Sequence, residues 1–140
     1  GFQLTDLLVG VFSAIEFQAR QALILYPNVL TLDPADRPSW KAFVGRSHAI
    51  GIVDAGRMRD WNNLLEIRHM IVHNNGIADR DLSIALSNGF TAELRKDVMT
   101  RVSKMSDIPL AVDWITCAYA DWCRGFLAKP VPPSASDHSM

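Results

Sequence analysis

Trp61-Asn62-Asn63-Leu64-Leu65-Glu66-Ile67-Arg68-His69-Met70-Ile71-Val72-His73-Asn74-Asn75-Gly76 decides the fold class of this chain. Projected at about 100° per residue, Trp61, Leu64, Leu65, Ile67, Ile71 and Val72 make one broad apolar face, as in a helix with one side against a core. Asn74-Asn75-Gly76 supplies residue types that tolerate the left-handed conformation in which helices end. The spacing therefore predicts a helix from about Gly56 to His73. Arg68 falls in the middle of its apolar face, where a guanidinium cannot shed its charge. It must meet carboxylates, carbonyls or an anion, or open onto a cleft or an interface. The purely structural solution is an acid such as Glu66, Asp54 or Asp60, or the carbonyl end of another helix.

Upstream, Leu7, Leu8, Val11, Phe12, Ile15, Ala19, Ala22, Leu23 and Tyr26 follow the i, i+3, i+4 rule, with Asp6, Ser13, Glu16 and Arg20 on the other side. They predict a long amphipathic helix from Leu4 that stops at Pro27. Leu30 to Pro38, with its prolines and aspartates, reads as a loop. Ser39 is a good N-cap for a second helix through Trp40, Phe43, Val44, Ile50 and Ile52, weakened by Gly45 and Gly51. Downstream, Leu82-Ser83-Ile84-Ala85-Leu86 alternates like a strand. Asn88-Gly89 has the composition of a two-residue turn, which predicts a small hairpin around residues 82–92. Leu94, Val98, Val102 and Met105 return to helical spacing. Asp107 and Pro109 suit the start of a closing helix, with Val112, Ile115, Tyr119, Trp122 and Phe126 as its apolar stripe. The fold expected is mainly α: an up-and-down bundle of four to five helices with a hairpin insertion, occupying residues 1–128 as one domain. The Pro- and Ser-rich residues 129–140 form an expected disordered tail.

Composition narrows the function classes. A chain of 140 residues with 49% apolar content has enough core to fold alone. The uninterrupted apolar runs, Leu7 to Phe12 and Ile108 to Val112, are too short to span a bilayer, so a soluble cytoplasmic protein without a membrane partner is expected. Cys117 and Cys123 lie six residues apart on a predicted helix, which turns them to different sides and suits a reducing compartment. A net charge of −1 excludes coating of long nucleic acid through a broad positive face, but leaves local recognition of a phosphate open.

His73 lies about 140° around the helix from Arg68. Both side chains reach one phosphate only if the helix end bends or a second copy supplies the complementary group. The second option implies a two-fold dimer packed along the Gly56–His73 helix. Glu66, His69 and His73 also share a face, and two imidazoles with a carboxylate suit Zn or Fe. No second half-site with matching spacing backs that reading, and no metal or other cofactor is expected. Trp40, Trp61 and Trp114 offer rings on which bases stack, although Trp61, on the apolar face, is expected in the core or at the dimer interface.

Arg68-His69-x-x-x-His73, with a polar residue directly after the Arg and Asn74-Asn75-Gly76 after the His, resembles the R-x-x-x-x-H signature of HEPN domains (higher eukaryotes and prokaryotes nucleotide-binding). The order of helices around it is similar to that family's bundle. The resemblance implies a metal-independent endoribonuclease acting as a homodimer on RNA, in a family of toxins, antiviral defence effectors and RNA-processing enzymes. Toxins of this kind often travel with an antitoxin partner, and other members are non-catalytic dimerisation or ligand-binding modules of larger proteins. Carried to matching positions, it makes His73 the general base or acid at the 2′-hydroxyl and leaving group. Arg68 becomes the holder of the scissile phosphate, and His69 the residue that orients the pair. Asn74 and Asn75 are candidate RNA contacts, against the plainer role of a helix cap. Elementary chemistry agrees with that division: an imidazole can move a proton near neutrality, while an arginine stays charged and can only bind or stabilise.

Overall fold

The computed structural model describes residues 4–98 and 107–129. It is mainly helical: α1 (Leu4–Leu25), a single-turn α2 (Pro27–Leu30), α3 (Trp40–Ala49), α4 (Ala55–Asn74) and α5 (Asp107–Ala128), with an antiparallel hairpin of β1 (Leu82–Ala85) and β2 (Thr91–Leu94) between α4 and α5.

The helix ends follow their capping residues. Ser39 accepts the N–H of Ala42 at 3.3 Å to open α3, and Asp54 accepts that of Arg57 at 2.7 Å to open α4. Asn75, at φ 53°, closes α4 in the left-handed conformation, and the N–H of Gly76 reaches back to the Met70 carbonyl at 3.3 Å. Pro27 ends α1 as expected, but it also starts α2, where its missing N–H and fixed φ suit a first turn. At Gly125 a methyl group would meet Ile52 Cγ2 at 2.9 Å, so this glycine lets the segment after α3 close onto α5.

Aromatic rings fill the centre. Trp40 meets Trp61 and Trp122 edge-to-face at centroid distances of 5.2 and 5.1 Å, and Trp61 meets Trp114 at 4.8 Å. Phe12, Phe43 and Phe126 join them, and all are buried. The indole N–H of Trp122 donates to Ser47 Oγ at 2.8 Å. Those of Trp40, Trp61 and Trp114 have no oxygen acceptor among the described residues. Burial removes Trp40 and Trp114 from any role as base-stacking platforms, and Trp61 is in the core. Nearby, Tyr119 donates its hydroxyl to Gln18 Oε1 at 2.9 Å; burial first, and the adjacent Cys123 second, push its phenol well above the ordinary value.

Several sequence expectations need correction. Leu94 is the last residue of β2 and Val98 lies in the turn region after it, where an isolated bridge joins Ala78 to Lys96; cross-strand pairing overrides the helical spacing. Val102 and Met105 lie outside the described residues. The hairpin turn holds three residues rather than two: Leu86 N–H bonds the Phe90 carbonyl at 2.8 Å, Gly89 N–H bonds the Leu86 carbonyl at 3.1 Å, and Gly89 takes φ 93°. On α5, Val112 is 38% exposed while Ala111, Trp114 and Ala118 are buried beside Ile115, Trp122 and Phe126. On α4, Met70 is buried and Val72 is 53% exposed. Although its uninterrupted apolar runs are short, Asp6–Leu25, with only two further charges, is by length and composition apolar enough to cross a membrane, its mean hydropathy reaching 1.3 over 18 residues. In this fold its inner stripe, Leu8, Phe12, Ile15, Ala19 and Leu23, packs into the core. Residues 130–140 of the expected tail lie outside the described residues.

Candidate functional site

The cleft beside α4 begins with Glu16, which the helical spacing of α1 puts on that helix's polar side. Its side chain is only 11% exposed. Oε1 accepts the backbone N–H of Trp40, the first residue of α3, at 3.1 Å and Arg68 Nη1 at 2.9 Å. The other oxygen lies 3.8 Å from Arg20, which itself donates to the carbonyls of Pro38 and Arg37 at 3.0 and 3.1 Å. One side chain thus ties together α1, the start of α3 and the middle of α4. A carboxylate at a helix N-terminus satisfies a free N–H and meets the positive end of the dipole. Here the same group also compensates a guanidinium.

Arg68 is therefore neither loose nor fully buried. Its side chain is 24% exposed, its Nη1 is committed to Glu16, and its Nε is buried without a partner among the described residues. The guanidinium also lies over the Phe12 ring at 5.9 Å. None of the acids named from the sequence holds it: Asp54 caps α4, Glu66 pairs with Arg80 at 2.8 Å, and buried Asp60 has Arg59 at 3.6 Å. The physical reason is that α4 presents its 68 position to α1, so the nearest acid comes from another helix.

Arg68, His69 and His73 all line one open cleft of about 510 Å³, together with Glu16, Lys41 and Arg80. Arg68 and His73 line the same cleft within one chain, although their positions stand about 140° apart around α4. His69 and His73, one turn apart, bring their rings to 4.4 Å between centroids at 46°. Both imidazoles are exposed, whereas Asn74 and Asn75 are not among the residues lining the cleft. Asn75 serves as the left-handed cap, and the Asn74 carbonyl accepts the N–H of Ile77 at 3.0 Å. Among the described residues no group of three or more His, Cys, Asp or Glu is placed to hold a metal ion, and Glu66 is drawn off toward Arg80.

Sequence reasoning missed Glu16, Lys41, Asp79 and Arg80. For Glu16 a signal existed: Glu16 and Arg20, one turn apart, are the only charges of α1 beyond its first turn. For Asp79 and Arg80, which follow α4, nothing local announces that the chain turns back along the cleft. The chain matches no protein-family model, no curated protein and no solved structure.

Proposed function

We propose that this protein is a metal-independent endoribonuclease of HEPN type, whose reaction centre is Arg68, His69 and His73. The observation that carries the reading is that these three side chains line one open cleft, with the arginine held in place by Glu16 at 2.9 Å. His73 takes the proton of a ribose 2′-hydroxyl, whose oxygen attacks the adjacent phosphorus. The bond to the 5′-oxygen breaks, that oxygen receives a proton, and a cyclic phosphate end remains. Arg68 binds the scissile phosphate and meets the charge that develops on it. His69, 4.4 Å from His73 between ring centroids, orients it or carries the second proton.

The reading includes a homodimer packed along α4, so that two copies of the cleft face each other. Val72 supports this surface: it is 53% exposed, and it lines the cleft beside His69 and His73. Val72→Asp is expected to weaken self-association at least about tenfold, since burying a valine is worth about 1.5 kcal/mol or more, measured by sedimentation equilibrium. Cys117 and Cys123, both free, support a cytoplasmic setting.

A second reading has a specific observation behind it. Glu16 already neutralises Arg68 within the chain, as in a domain that keeps the pair for structure and serves as a non-catalytic dimerisation or ligand-binding module. Purified protein incubated with mixed RNA in EDTA separates the two. The ribonuclease reading expects cleavage by wild type that both His73→Ala and Arg68→Ala abolish. Intact RNA in all three samples supports the module, and equal cleavage in all three points to a contaminant.

A further inference from the structure

The charges lining the cleft do not cancel evenly along its walls. Three cations face it, Lys41, Arg68 and Arg80, against three acids, Glu16, Glu66 and Asp79. Arg68 is taken by Glu16 at 2.9 Å and Arg80 by Glu66 at 2.8 Å. Lys41 and Asp79 take part in none of the ion pairs among the described residues, and they stand on different elements: Lys41 in the first turn of α3, Asp79 after the end of α4.

Lys41 also breaks a local rule. A cation in the first turn of a helix meets the positive end of the macrodipole, where an acid is preferred, and α3 has no acid there. Such departures from local preference concentrate where a residue serves something other than the fold. Glu16 accepts the first N–H of α3, but it is shared with Arg68.

We infer that Lys41 is a phosphate-binding residue for the polynucleotide strand that crosses this cleft. The strand leaves the Arg68–His73 centre along the α3 wall, past Lys41, and is turned away from the other wall by Asp79. This inference rests on the ribonuclease reading and adds the path of the substrate to it. Lys41 binds backbone and carries no base preference, because an ammonium on a flexible stem meets phosphate as a point charge.

The test uses the wild-type chain and a short fluorescent single-stranded RNA of mixed sequence with every 2′-hydroxyl methylated, which cannot be cut by internal attack. Binding is followed against salt concentration for wild type, Lys41→Ala, Lys41→Arg, Asp79→Asn and, as a control for total charge, Lys96→Ala in the hairpin region. The inference expects Lys41→Ala to weaken binding several-fold and to lower the salt slope by about 0.7, the value for one phosphate contact on a single strand. Lys41→Arg should restore both. Asp79→Asn should bind equally or more tightly, and Lys96→Ala should match wild type. If Lys41→Ala and Lys96→Ala behave alike, or if Asp79→Asn binds more weakly, the inference is overturned while the ribonuclease reading stands. Absence of any binding overturns both together.

Discussion

The two sides of α4 are built on opposite terms. Its inner side delivers Trp61, Leu64, Ile67 and Met70 to a core of interlocked rings, all fully buried. Its outer side delivers Arg68, His69 and His73 to a cleft where ion pairs and an open volume take the place of packing. Positions only one residue apart, Ile67 and Arg68, fall on the two sides. The inner side is stabilised by apolar area and edge-to-face rings, each pair worth about 0.5–1.5 kcal/mol beyond burial. The outer side adds little of that kind. What holds it is Glu16, and what it offers is reactive side chains in reach of solvent. Core substitutions should therefore cost stability, and cleft substitutions should cost chemistry.

The largest effect belongs to the core. Trp61→Ala should lower unfolding free energy by about 3–5 kcal/mol, read by denaturant titration, and any activity should vanish with the fold. His73→Ala should do the reverse: cleavage falls by about 10²–10⁴-fold while the midpoint of thermal unfolding stays at the wild-type value. A large loss of stability in His73→Ala would mean that the outer side is structural after all. Glu16→Gln probes the junction between the two sides. It keeps the shape and can still accept the Trp40 N–H, but it removes the charge opposite Arg68. It should cost about 1–3 kcal/mol of stability and reduce cleavage in part, moving both readouts while the chain stays folded. The smallest effects are at the caps. Ser39→Ala should cost about 1 kcal/mol, and Asn75→Gly, at a left-handed cap where glycine meets no Cβ penalty, should leave stability unchanged or slightly raised, with cleavage unchanged in the latter. A loss of cleavage in Asn75→Gly would give Asn75 a role on RNA that its position outside the cleft lining does not suggest.

The inner side was largely legible in the sequence, because periodicity and caps are local. Ser39 and Asn74-Asn75-Gly76 mark helix ends that the structure places within a residue or two, and Trp61, Leu64 and Ile67 stand where their spacing puts them. That Arg68 needs a compensating charge was legible too. Its partner was not. Glu16 lies 52 residues away on α1, and a projection of α1 alone assigns it to the polar side. Which acid a buried arginine meets depends on how two helices cross, which neither helix encodes by itself. The hairpin shows the same limit on a smaller scale: Leu94 and Val98 have helical spacing, yet pairing of Leu82 with Leu94 and the bridge from Ala78 to Lys96 draw that segment into extended structure.

The central claim is that the outer side of α4 cleaves RNA by internal attack, and the chemistry of the product ends tests it most directly. Wild-type protein and His73→Ala are incubated with RNA in EDTA, and the ends are identified by mass spectrometry. The account predicts 2′,3′-cyclic phosphate and 5′-hydroxyl ends from wild type and none above background from His73→Ala. Ends bearing 3′-hydroxyl and 5′-phosphate, or the same cyclic ends in equal yield from His73→Ala, would contradict it.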